Sequence, residues 1–440
     1  MTTTVPSRGG APAPGPTTTR RRSDKREQLA AGPRGGALHE TLGWLRAALD
    51  RPLTSYHLVL ASVSLLLVLG LMMVLSASSV SAYVNFDDSY YYVKRQALFL
   101  VAGVVGALVL SRVPVSTLRA LSWAAVGLAV VLLTLTYTPL GIERGGNRNW
   151  LYLGSEAFSI QPAEFAKLAM IVWGADVLAR KQRLLDQPKH LLVPYLPVCG
   201  LLILLVVFQG DAGTAVVMAG IVAGVLWIVG APLRVLGALV GVGALGVVGL
   251  FASSPNRMRR LAAFLDPTAD LNGANDQSQA GMYAIASGGW WGVGLGASRQ
   301  KWGSLPEAHT DFIFAVLGEE FGLFGSLVVL GLFLVLGYAG IRIATRSDEP
   351  FARYAAGGVT AWFMIQALIN LAVVLRLVPI AGVPLPLVSY GGSALLANLL
   401  AVGVLLACAR REPQARALLA QRPDRHRPRV STVVGSRAPR

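Results

Sequence analysis

The feature that most restricts this chain is a succession of long apolar runs almost free of charge. Between Pro52 and Phe86 no Asp, Glu, Lys or Arg interrupts the sequence, and comparable runs recur down to Ala409. A helix needs about 20 mostly apolar residues to cross the hydrocarbon core of a bilayer. Inside that core each backbone N–H and C=O must be bonded within its own segment, which makes helices of runs like these. Spans are expected near 56–79, 96–111, 118–138, 162–180, 191–208, 212–230, 233–252, 312–341, 355–377 and 390–409. The expected fold is an all-α integral membrane protein with about ten transmembrane helices and a large extracytoplasmic loop between the seventh and eighth. Composition agrees: 14% of the 440 residues are charged, against about 25% in soluble proteins.

The net charge of +16 raises the question of nucleic acid, and the placement of the charge argues against it. Basic residues crowd the two ends, at Arg20, Arg21, Arg22, Lys25 and Arg26 and again at Arg410, Arg411, Arg416, Arg422, Arg425, Arg427 and Arg429. Positive charge beside spans marks the cytoplasmic side and attracts anionic lipid. Three regions are therefore expected: a disordered basic cytoplasmic tail over 1–54 (with a short interfacial helix at 39–49), a polytopic membrane domain over 55–410, and a second disordered basic cytoplasmic tail over 411–440. The loops 180–190 and 342–354 carry further Lys and Arg and belong inside. The segments 80–95, 139–161, 209–211, 253–311 and 378–389 then lie outside. Cys199 and Cys408 sit in apolar runs and read as small hydrophobes. The five histidines show no metal-ligand spacing, and the first apolar run is too long for a cleavable leader.

Chemistry is concentrated in the outer segments. The loop 253–311 holds Arg257, Arg259 and Arg260, against the topology rule, so these arginines need another reason to be there. Asp311 stands where the loop meets an apolar span. A partly buried carboxylate there could act as a general base on a hydroxyl; equally, Thr310 or Asp311 could cap the helix that follows. Glycines at 288, 289, 292, 294 and 296 suit a close backbone approach to phosphate, or simply turns. The span that follows carries Glu319 and Glu320 early and is expected to be tilted or broken. Glu164 and Lys167, three apart on one face of a span, are either functional or an internal ion pair. Asp211 either faces the outer cavity or caps the next helix, and Asp176 reads as structural. The run Pro379–Ser393, with three prolines and adjacent glycines beside a span, is expected to line a cavity or to be a rigid loop with a helix cap at Ser389.

Four of these stretches together resemble the SEDS family (shape, elongation, division and sporulation), the FtsW/RodA/SpoVE proteins. They are Asn149-Trp-Leu with Gln161-Pro-Ala-Glu164-Phe-Ala-Lys167; Gln209-Gly-Asp211-Ala-Gly-Thr214; Leu305-Pro-Glu-Ala-His309-Thr-Asp311-Phe312 with Gly318-Glu-Glu320; and Pro384-Leu-Pro with Ser389-Tyr-Gly-Gly-Ser393. The likeness runs from about residue 55 to 410. It implies a peptidoglycan glycosyltransferase that polymerises lipid II, by inverting transfer from a growing glycan on undecaprenyl pyrophosphate, at the outer face of the cytoplasmic membrane. The implied partners are a class B penicillin-binding protein and other division proteins, at the septum. Asp311 falls on the family's essential aspartate. Substrate contacts are expected at Arg257, Arg259, Arg260, Lys301, Glu164, Lys167, His309 and Ser389. No cofactor is certain, and a divalent cation (Mg or Mn) is left open for want of a clear ligand set. The basic extension, the 294–301 run and the long basic tail resemble the division branch more than the elongation branch. The chain departs from the family at Gly210 (usually Pro), Arg376 (commonly Gly) and Gly273-Ala-Asn275. A lipid II flippase and a scaffold for the penicillin-binding protein are the competing readings.

Overall fold

The structure, a computed structural model, describes residues 51–421 apart from 153, 155–158, 186, 253–254 and 267–274. The tails over 1–50 and 422–440, and the helix expected at 39–49, lie outside the described residues. Among the described residues eight helices are long and apolar enough to cross a membrane. They are α1 (Thr54–Phe86), α2 (Tyr91–Leu110), α3 (Val115–Leu135), the span Lys189–Phe208 that ends in α5 (Tyr195–Phe208), α6 (Ala212–Val229), α10 (Ile313–Arg346), α11 (Pro350–Val374) and α12 (Gly392–Ala409). The other two expected segments are also helical, as α4 (Pro162–Arg180) and α7 (Leu233–Ala252). Helix α4 stands apart because Glu164, Lys167 and Asp176 interrupt it, and it is buried along nearly its whole length. Its charges face protein, as ionisable groups at membrane depth must.

Close packing follows from small residues. A Cβ at Gly103 of α2 would meet Leu399 of α12, and one at Gly403 would stand 2.8 Å from Ala107 Cα. Helix α11 is held in the same way by Gly340 of α10 against Thr360, and by its own Gly358 against Ile171 of α4 and Val225 of α6. With no hydrophobic drive between helices in lipid, such close approach supplies the association.

The expected large loop is largely structured. It holds α8 (Pro255–Leu265), α9 (Asp276–Gly288) and a single turn of 3-10 helix at Gln300–Trp302. The expected break in α10 is at Gly322, whose φ of 65° and ψ of −161° lie outside the helix region. Two features differ from expectation. A two-stranded antiparallel hairpin, β1 (Gly141–Arg144) with β2 (Asn147–Leu151), stands in the segment 139–161. Its turn is Gly145-Gly146, both at positive φ, the geometry that two-residue hairpins require. The residues after Arg411 are not wholly irregular, because α13 (Pro413–Ala420) forms there with proline in its first turn.

The expected outer segments meet one another at one end of the bundle. Arg148 N donates to Gln209 O and Asn149 to Asp211, while Gln96, at the head of the second expected span, donates to Ser389 O. At the other end Asp176 is clamped by Arg119 and Arg180, each at 2.7 Å, as its structural reading required.

Candidate active site

The site is centred on Asp311, in the tight turn just before α10. The capping role open to Thr310 and Asp311 is not taken up: Phe312 holds the cap position and no side chain caps the helix. The Asp311 carboxylate is thus free for other work. Its main-chain carbonyl accepts from Asn370 Nδ2 at 2.8 Å, and the same amide donates to Val383 O at 2.8 Å. Asn370 thereby ties the aspartate to the loop before α12. That loop turns at Gly382, where φ is 66° and a Cβ would stand 3.6 Å from Asp311 Oδ2.

Asp211 reaches the same place. It caps α6 by accepting from Thr214 N at 3.0 Å. Its other oxygen accepts from Asn149 at 2.8 Å and Gln161 at 3.1 Å. The capping reading of Asp211 is therefore the one seen, and its charge is felt at Asp311. Gly210 has φ 88°, which the proline common here in the family cannot adopt.

Burial pushes the Asp311 carboxyl up to about 7, helped by the negative charges of Glu307 and then Asp211 and opposed by Arg260. A carboxylate near 7 is half ionised at neutral pH and suited to take a proton. Burial lowers the His309 imidazole, against the pull of Glu307, so the ring favours its neutral form. His309 packs against Tyr92 (4.7 Å between centroids) and Tyr390 (5.5 Å), and its carbonyl accepts from Tyr390 N. The stack pins the turn that delivers Asp311.

The remaining expected contacts divide. Arg257, Arg259 and Arg260 share α8; Arg259 and Arg260 are exposed, and Arg260 acts on Asp311 electrostatically. Lys301 is a correction. It is buried, and its ammonium donates to Ser76 Oγ (3.0 Å), Gly296 O (2.7 Å) and Glu320 Oε1 (3.2 Å). Three donors so used leave none for a phosphate. At Ser389 the cap reading is corrected, because Gly391 caps α12, while the Ser389 hydroxyl accepts from Leu385 N and braces the loop. Glu164 and Lys167 form a sealed ion pair at 2.8 Å, 2% and 1% exposed, so the structural reading is the one seen. Lys167 also donates to Gln366 and lies 4.7 Å over the Trp362 ring. The glycine run cradles no phosphate, because Gly292 N, Val293 N and Gly294 N are spent on Gly288, Glu319 and Glu320 carbonyls. Among the described residues no group of three or more His, Cys, Asp and Glu could hold a metal.

Three positioning residues were not singled out from sequence: Asn370, Gln366 and Glu307. Gln366 and Asn370 are amides one helical turn apart in an apolar span, a signal of internal bonding that the sequence did carry.

The family model of FtsW, RodA and SpoVE, described as Cell cycle protein, matches residues 56–414. The chain belongs to this family. It is 37% identical over 374 residues to the Probable peptidoglycan glycosyltransferase FtsW of Mycobacterium tuberculosis, spanning 85% of this chain and 71% of that one. It is 42% identical over 355 residues to the Stage V sporulation protein E of Bacillus subtilis, spanning 80% and 96%. It also resembles a chain solved within a peptidoglycan synthase complex that coordinates polymerization and crosslinking, with a TM-score of 0.64, 28% identity and coverage of 83% and 99%. The kinship covers every FtsW/RodA/SpoVE motif named above and agrees with the all-α membrane fold.

Proposed function

We propose that this protein polymerises lipid II into glycan strands at the outer face of the bacterial cytoplasmic membrane during septal wall synthesis, with Asp311 as general base. It is a peptidoglycan glycosyltransferase, like the relatives it matches over most of its membrane domain. The observation that carries the residue assignment is the half-buried Asp311, left out of the helix cap, raised to about 7 and within electrostatic reach of Arg260.

In this reading the acceptor is lipid II and the donor is a glycan on undecaprenyl pyrophosphate. The 4-hydroxyl of the acceptor attacks the donor's anomeric carbon. The new carbon–oxygen bond forms as the bond to pyrophosphate breaks, and the hydroxyl proton passes to Asp311. Negative charge collects on the leaving pyrophosphate. Arg260, with Arg259 beside it on α8, is assigned to stabilise that charge. The ion pair Glu164–Lys167 acts at a distance. Lys167 holds Gln366, and Gln366 holds the Pro384 carbonyl, in the loop that lies on Asp311. The partner proposed is a class B penicillin-binding protein together with other division proteins. The likeness to a synthase complex that couples polymerization to crosslinking supports it. Both termini are assigned to the cytoplasm, from the basic residues flanking the first and last spans.

The test is to purify the protein, alone and with its cognate class B partner, and supply labelled lipid II. Moenomycin-resistant strands from the wild type support the reading. Their absence with the partner present, combined with lipid II movement across vesicles, turns the assignment to transport.

A further inference from the structure

Helix α11 closes in a specific way. Arg376 N donates to Val373 O at 3.0 Å, and Leu377 N to Ala372 O at 2.7 Å. This is the Schellman closure, whose left-handed residue is usually glycine because it has no Cβ to clash. Here Arg376 holds that position, at φ 55°. A long side chain kept where the backbone disfavours one points to a use for that side chain.

The use is visible. Arg376 Nη2 donates to Ala263 O at 3.1 Å, in α8. Ala263 lies three residues beyond Arg260 and four beyond Arg259, about one helical turn away. The chain leaving Arg376 runs on to Gly382, which lies on Asp311. The guanidinium therefore joins the helix that carries the site's arginines to the loop that covers its carboxylate. A cation at this helix end also meets the negative end of the dipole, but that role needs no contact with α8.

We propose that Arg376 is a positioning residue for the polyprenyl-pyrophosphate substrate: its bond to Ala263 holds α8, with Arg259 and Arg260, over Asp311. This rests on the polymerase reading of the site. Two measurements separate the clamp from that reading. The first is hydrogen exchange of the intact protein. Arg376→Gly suits the φ and deletes the side chain, and Arg376→Asn tolerates the same φ while falling short of α8. Both should speed exchange of the 255–265 amides with the melting temperature kept or raised. The second is strand synthesis against lipid II concentration, with the partner present. Misplacing the guanidiniums that stabilise the leaving pyrophosphate predicts kcat and kcat/KM lowered together, by about tenfold for one charged hydrogen bond lost. In an Arg260→Ala background the same substitution should add almost nothing, because its effect runs through Arg260. Unchanged exchange in both variants, or a full additional loss of kcat without Arg260, overturns the proposal. If wild type makes no strands the polymerase reading fails, and the exchange result alone decides the clamp.

Discussion

Asp311 and Arg260 set the chemistry at the scale of single residues. The acidic limb of the rate should follow the Asp311 carboxyl. The base form is needed, so activity rises with pH through about 7, the value to which burial and the Glu307 and Asp211 charges bring it. Arg260 pulls that value down, so Arg260→Ala should move the limb to higher pH as well as slow the reaction. Glu307→Gln removes a charge that raises it and should move the limb to lower pH. Initial rates of strand synthesis between pH 5 and 9 check both signs, and shifts in the opposite directions would refute this assignment of charges. Asp311 itself was legible in the sequence from its place at a span boundary and its motif. That it leaves the helix uncapped was not, because capping depends on the turn geometry at Phe312 rather than on residue type.

Two buried ion pairs matter at the scale of elements. Lys301, Glu320 and Ser76 lock the glycine-rich loop to α1 and to the half-turn before the Gly322 break. Lys301 is 4% exposed and Glu320 is fully buried. Removing one partner of such a pair leaves the other charged in a dry site, at a cost of about 3–5 kcal/mol. Lys301→Met should therefore lower thermal stability sharply, with activity per folded molecule less affected than in Arg260→Ala. A Lys301→Met protein of normal melting temperature but poor lipid II affinity would instead restore Lys301 as a substrate contact. Glu164→Ala should destabilise on a similar scale, since Lys167 would be left buried on Gln366 and Trp362 alone. The fate of Lys301 was hidden from sequence because its partners, Ser76 and Glu320, lie 225 and 19 residues away. The hairpin Gly141–Leu151 does carry a sequence signal, because Gly145-Gly146 is a two-residue turn.

The membrane architecture was the most legible part of the whole molecule, because hydrocarbon thickness turns composition directly into helix length. Less legible was which outer segments would converge, since the contacts Asn149–Asp211 and Asn370–Asp311 depend on how the helices pack. Sidedness is testable on the intact protein. Cys199 and Cys408 are buried and free, so introduced cysteines report alone. Ser304→Cys, on the large loop, should react with a membrane-impermeant maleimide from outside. Gln414→Cys, on α13, should react only after the membrane is opened; the reverse pattern would invert the topology. The most direct test of the whole account is strand synthesis by wild type and Asp311→Ala, reconstituted side by side with the class B partner and labelled lipid II. Loss of a general base predicts a fall of about 10²–10⁴-fold in rate for a folded Asp311→Ala protein. Strands from Asp311→Ala at the wild-type rate would contradict the account.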